Sequence, residues 1–153
     1  MELTNINVIR QLFERHGFSF TKSLGQNFLI NPAVCPKIAE MGGAKPGVCA
    51  LEIGTGVGVL TKELATRCEK VIAVEIDTTL KPILEETLAE FDNVEIVFAD
   101  VMETDLAALL AEKAPGMEVV VCANLPYYIT SPVIMRVLES RLPVSAMTVM
   151  VQK

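Results

Sequence analysis

Histidine is almost missing from this 153-residue chain, which has only His16. Its four cysteines, Cys35, Cys49, Cys68 and Cys122, stand far apart, with no C-x-x-C pair among them. That combination excludes a zinc site of ordinary ligand spacing, and no metal is expected. Cys49 and Cys122 fall in apolar runs, where a free thiol behaves as a small hydrophobe, so buried reduced thiols are expected. His16 follows an expected helix and precedes Gly17, the setting of a helix-end residue rather than a catalytic one. No Ser/His/Asp set competes for a hydrolytic reading. Long apolar runs are lacking too: none reaches the roughly 18 residues a membrane span needs. The start Met1-Glu2-Leu3-Thr4-Asn5 has neither the basic nor the apolar region of a signal peptide. A cytoplasmic chain without membrane contact is expected. Positive charge is scarce, with 13 Lys and Arg against 19 Asp and Glu, a net charge of −6. Bulk attraction to nucleic acid is disfavoured, because phosphate affinity comes mainly from Lys and Arg. Most of the acid lies between Glu52 and Glu112. The segment before Pro46 is weakly basic and suited to touching a phosphate backbone.

What is present is core material: 51% of residues are hydrophobic. The length suits one domain. After residue 45, Val- and Ile-rich runs alternate with helical segments. Strands are expected at Val48–Ile53, Val71–Ile76, Val94–Phe98, Glu118–Ala123 and Ala146–Val151. Helices are expected at Gly58–Arg67, Thr79–Glu90, Thr104 or Asp105 to Lys113, and after a Ser131-Pro132 cap to Ser140. Runs without alternation suit parallel strands covered on both faces. Alternating β and α units then give an α/β, doubly wound, mostly parallel sheet. Before it, Asn5–His16 suits a helix, Gly17–Ile30 a loop, and Asn31-Pro32 opens a helix that Gly42-Gly43 closes. The division expected is an arm with a cofactor loop over 1–30 and a core over 31–153.

The most informative loop is Glu52-Ile53-Gly54-Thr55-Gly56-Val57-Gly58, between a buried strand and a helix. Its glycines let backbone pass close to a ligand and present helix N-terminal amides to it. A dinucleotide fingerprint wants a small residue where Val59 stands. Glycines at 54, 56 and 58 with an acid at 52 instead look like the turn of S-adenosylmethionine-dependent methyltransferases. NAD binding and a merely tight turn are the alternatives. Glu75, ending the second strand some 20 residues on, is placed to accept from ribose hydroxyls. Asp100, after the third strand, is placed to accept from an adenine amine, with Ile76 and Val101 sandwiching the ring. Asn124-Leu125-Pro126-Tyr127 ends the fourth strand. An adenine N6 amine is a poor nucleophile, because its lone pair is delocalised into the ring. Acceptors on both N–H groups favour a more tetrahedral nitrogen. The Asn124 amide oxygen and the Leu125 or Pro126 carbonyl suit that task, while Tyr127 offers a stacking face. A structural turn is the competing reading.

In this order the motifs resemble the ribosomal RNA adenine N6-dimethyltransferase family. Ser23-Leu24-Gly25-Gln26-Asn27-Phe28-Leu29 is similar to its N-terminal cofactor-loop motif, Glu52–Gly58 to its glycine loop, Glu75 to its ribose acid and Asp100 to its adenine acid. Asn124–Pro132 is similar to its target-base motif. The resemblance implies a Rossmann-like class I methyltransferase fold binding S-adenosylmethionine. Gln26, Asn27, Leu29, Gly54, Gly56, Gly58, Glu75, Ile76, Asp100, Val101 and Asn124 would line the cofactor site. Asn124, Leu125, Pro126 and Tyr127 would be the catalytic set. Asn-Leu-Pro-Tyr-Tyr-Ile-Thr-Ser-Pro and the terminal Val151-Gln152-Lys153 are similar to members that dimethylate two adjacent adenines of small-subunit rRNA. They are less similar to members that modify large-subunit rRNA. An immature 30S subunit is the implied partner, and ribosome biogenesis the implied setting.

The family continues through two more strands and a helical C-terminal domain, so this chain is expected to be a piece ending after its fifth strand. The exposed fifth-strand edge is then expected to pair with a second copy or to lack order, whereas the longer protein is expected to be a monomer. The alternative function is a ribosome-assembly or nucleic-acid-binding factor on a methyltransferase scaffold, with this length of chain inactive.

Overall fold

The computed structural model describes residues 2–18, 33–140, 142 and 144–152, with the backbone alone at 126–128 and 151–152. Five strands, Val48–Ile53 (β1), Lys70–Glu75 (β2), Val94–Phe98 (β3), Glu118–Pro126 (β4) and Val144–Gln152 (β5), form one sheet in the order β3-β2-β1-β4-β5. Every neighbouring pair is parallel. All carboxyl ends therefore meet one edge of the sheet. The strand order reverses beside β1, which is where open α/β sheets leave a crevice for ligands.

The central strands have no polar face, and this dictates helices on both sides. β1 is buried at all six positions. One face of the sheet, with Cys49, Leu51, Ile72 and Val121, packs under helices Leu106–Lys113 (α5) and Tyr127–Glu139 (α6) through Leu106, Leu110, Val133 and Val137. The other face, with Ala50, Val71 and Cys122, packs under Val34–Met41 (α2) and Val59–Arg67 (α3) through Ile38, Leu60 and Leu64. The doubly wound arrangement expected from the sequence is the one observed. A third cluster joins Ile6–Arg15 (α1) to Lys81–Thr87 (α4): Ile9, Leu12 and Phe13 meet Ile83, Leu84 and Leu88. Asn5 caps α1 by accepting from the Asn7 amide at 2.9 Å, and Arg15 pairs with Glu86 at 2.7 Å. His16 closes α1 as its C-cap.

Three expectations change. The helix after β4 begins at Tyr127, with Pro132 inside it rather than at its first position. The strand passes into the helix with no intervening loop, so the first turn precedes the proline and Pro132 removes an interior amide. In addition, Asn124, Leu125 and Pro126 are not a free turn. They extend β4 and pair with Met150, Val151 and Gln152 of β5. The expected helix over Thr79–Glu90 is shorter and split, a 3-10 turn at Thr78–Leu80 leading into α4, with Pro82 tolerated in the first turn as expected. All four cysteines are free and buried. Burial pushes the Cys35 and Cys122 thiols up to about 12, which makes them inert packing groups. Among the described residues no helix is long and apolar enough to cross a membrane, and no cluster of metal-ligating side chains occurs.

Candidate active site at the strand tips

Gly54 extends the β1–β2 ladder, its amide donating to the Val74 carbonyl at 2.9 Å. Beyond it the backbone turns left-handed at Gly54 (φ 79°), Gly56 (φ 55°) and Gly58 (φ 98°). The three glycines do different work. A Cβ on Gly54 would lie 3.4 Å from Leu125 Cδ2, so the loop lies against the tip of β4. A Cβ on Gly58 would instead meet Thr87, Leu88 and Leu84 at 3.2–3.5 Å. Gly58 therefore serves a close approach to the end of α4 more than an opening for a ligand. Gly58→Ala should destabilise the chain by about 2–3 kcal/mol, left-handed strain plus crowding. Urea denaturation measures this, and a loss below about 0.5 kcal/mol would contradict it.

Glu75 closes β2 with only 6% exposure. Its Oε1 accepts from the Thr55 amide at 2.9 Å, the Thr55 hydroxyl at 2.8 Å and the Gly56 amide at 3.1 Å. Its Oε2 accepts from the Asp77 amide at 3.0 Å. The carboxylate thus shapes the glycine loop from within, and the Thr55 and Gly56 amides face it rather than a ligand. This structural duty was not foreseen from the sequence. A carboxylate oxygen takes about two donors in its plane, so Oε2 retains capacity for a hydroxyl. Gly58, as the N-cap of α3, brings no side-chain acceptor to the first-turn amides. Those amides are left for water or a ligand.

Asp100 follows β3, and its Oδ1 accepts from the Met102 amide at 2.9 Å. The flanking hydrophobes divide. Ile76 is 66% exposed, an unusual state for a large aliphatic side chain at a sheet edge, whereas Val101 is buried in the core. Met102, which the sequence reading passed over, is 40% exposed beside Asp100. Only its adjacency to the acid marked it. Asn124 lies one residue past Ala123, the partner of Ile53, which puts it beside the glycine loop. The structure therefore brings Gly54–Gly58, Glu75, Ile76, Asp100, Asn124 and Leu125 to four consecutive strand tips. Gln26, Asn27 and Leu29, with the helix start at Asn31-Pro32, lie outside the described residues, as do the side chains of Pro126 and Tyr127.

These donors and surfaces fit a nucleoside-bearing cofactor. An exposed aliphatic side chain offers a face to a ring, and two carboxylates with spare lone pairs offer acceptors to hydroxyl and amine groups.

Behind the loop lies Glu52, fully buried on β1. The Thr61 hydroxyl on α3 donates to its Oε1, while its Oε2 has no hydrogen-bond partner among the described residues. Burial, with a smaller push from Glu75, raises its carboxyl to about 8. Its folded value thus lies above its ordinary one. The stability it confers is complete below pH 4.5 and is lost as pH rises through about 8. Unfolding by urea should show a loss of a few kcal/mol, on the order of 4, across that window. Glu52→Gln should remove this component. An identical pH dependence in both proteins would refute the assignment.

The profile of the ribosomal RNA adenine dimethylase family matches residues 17–153. The chain belongs to this family. The small-subunit rRNA methyltransferase A of Geobacillus kaustophilus is 50% identical over 145 residues, covering 94% of this chain and 50% of that protein. Among solved structures, a dimethyladenosine transferase from Plasmodium falciparum shares 30% identity at a TM-score of 0.64, over 80% of this chain and 42% of that one. The 23S rRNA methyltransferase ErmE shares 32% at 0.67, over 82% and 48%. The family resemblance seen in the sequence motifs is thereby borne out, and so is the α/β methyltransferase fold. The chain spans about half the length of the curated relatives it matches. The glycine loop, Glu75, Asp100 and the Asn124 segment all lie inside the matched residues.

Proposed function

We propose that this chain carries the S-adenosylmethionine site and the base-positioning segment of an enzyme that N6-dimethylates two adjacent adenines of small-subunit rRNA. The observation that carries the proposal is the side-by-side placement of Glu75, the glycine loop and Asn124 at neighbouring strand tips. Relatives at 45–50% identity bear the name of the small-subunit methyltransferase, which favours that branch over the large-subunit one. The immature 30S subunit is the proposed substrate, the cytoplasm the proposed compartment, and ribosome biogenesis the process served.

Glu75 Oε2 would receive ribose hydroxyls, Asp100 the adenine amine, and Ile76 the adenine face. When bound, S-adenosylmethionine supplies an electrophilic methyl group. The Asn124 amide oxygen and a backbone carbonyl at Leu125 or Pro126 accept the two N–H groups of the target adenine. That turns the nitrogen lone pair toward the methyl carbon, and orientation of this kind supplies most of what direct transfer needs. The spare proton leaves to water.

With a net charge of −6, this chain does not grip RNA by bulk attraction. Affinity for rRNA is therefore assigned to contacts beyond the strand tips, and positioning to the tips themselves. Incubation of immature 30S subunits with the chain and methyl-labelled S-adenosylmethionine tests the reading. Label in dimethyladenosine supports it; cofactor binding without any label supports a scaffold role instead.

β5 has no neighbour on its outer side among the described strands. We propose that this edge pairs with a second copy of the chain, since unpaired strand edges template such addition. Sedimentation should show a concentration-dependent dimer. A strict monomer at high concentration would refute this.

A further inference from the structure

Glu52 is a fully buried acid that methyl transfer, as described, does not use. It lies two residues before Gly54, and Thr61, its one hydrogen-bond partner among the described residues, sits in the first turn of α3. Their hydrogen bond spans the base of the glycine loop and ties the strand before it to the helix after it. Among the described residues the groups that face Glu52 offer no positive charge: Glu75 on β2, Cys122 on β4 and Cys35 on α2 each couple to it unfavourably. One of its oxygens meets no donor among the described residues. A carboxylate in such a place would be an unpaired buried charge, which proteins avoid by keeping the group protonated. Ionisation would also set a second negative charge beside Glu75, whose own oxygens hold the Thr55 and Gly56 amides.

We propose that Glu52 is a positioning residue that works as a neutral carboxylic acid, its proton keeping Glu75 the single anion behind the glycine loop and the loop in its binding shape. The proposal rests on the reading of that loop as the S-adenosylmethionine site. Its consequence is a proton-linked affinity: as Glu52 ionises, the Thr61 hydroxyl alone cannot offset a buried negative charge, Glu75 is repelled and the loop loses its cofactor-ready form. Burial places the transition near pH 8.

The test is calorimetric titration with S-adenosylhomocysteine, which keeps the nucleoside and withstands alkaline pH, on the chain and on Glu52→Gln between pH 7 and 9. One proton released near pH 8 predicts an affinity loss of about tenfold in the parent beyond any loss in Glu52→Gln. The amide variant should keep its affinity, since it preserves the neutral shape. Parallel profiles would overturn the proposal. A second readout covers a variant that fails to fold: the Glu52 side-chain carbonyl carbon, followed by NMR in the parent, should titrate near pH 8, and a midpoint near 4.5 overturns the proposal. If nothing binds at any pH while that carbon titrates near 8, the site reading fails and the neutral acid stands.

Discussion

Glu75→Ala should be among the most damaging single changes in this chain, lowering stability by about 3–5 kcal/mol. The substitution strands the Thr55 amide, the Thr55 hydroxyl, the Gly56 amide and the Asp77 amide, all of which now reach the carboxylate at 2.8–3.1 Å. Each buried donor left without an acceptor costs roughly 1–3 kcal/mol, and water recovers part of that at the loop surface. The total is a large share of the ~5–15 kcal/mol that holds a domain together. Glu75→Gln separates the two duties of this residue. Its amide oxygen still serves the loop, so folding should survive with a loss near 1–2 kcal/mol. Its NH2 group, however, replaces the acceptor that ribose hydroxyls would use. Cofactor affinity should fall by about ten- to a hundredfold, the worth of one hydrogen bond to a charged group. Urea melts and calorimetry on both variants check this. A Glu75→Gln protein with full affinity would show that the acid is an internal brace only.

Asn124→Ala should remove catalysis while sparing the fold. Asn124 is half-buried at the tip of β4, beside the glycine loop rather than in the packed middle of the sheet. Under the proposed mechanism, its loss would leave the target nitrogen with one acceptor in place of two. Losing one preorganised polar contact in an active site typically costs about 10²–10³ in rate, and a fall of that size is expected in single-turnover methylation of immature 30S subunits. The effect should appear at saturating cofactor, which distinguishes positioning of the base from binding of the donor. Asn124→Asp retains an acceptor and should be less impaired. A rate within about threefold of the parent, under 1 kcal/mol in barrier, would contradict the base-positioning role.

Much of this was legible in the residues because the chain is locally consistent. Five apolar runs of strand length, with helical segments between them, leave few options besides a doubly wound sheet. Val94–Phe98 matched its strand at both ends, and Asp105 capped its helix by accepting from Ala108 as expected. The two misplacements around β4 share one cause, tertiary pairing that sequence does not display. β4 runs on to Pro126 because β5 continues beside it, and α6 starts before its proline because no loop separates it from β4. At the site, spacing identified Glu75 but not its grip on the glycine loop, since that depends on the loop folding back over β2. Nor did spacing distinguish Gly58, which α4 crowds, from Gly54, which faces Leu125. Glu52 was visible only as part of a motif. Its isolation from the cations of the described residues emerges from the packing of α2, α3 and β4 around it.

The central claim is that four neighbouring strand tips make one nucleoside-shaped cleft. Amide chemical-shift mapping during titration with S-adenosylmethionine tests it most directly. The account predicts saturable shifts that cluster at Gly54–Gly58, Ile76, Asp100–Met102 and Asn124 and share one dissociation constant. Shifts confined to the apolar groove between α4 and β3, around Leu84, Phe91 and Ile96, with the tips silent, would contradict it.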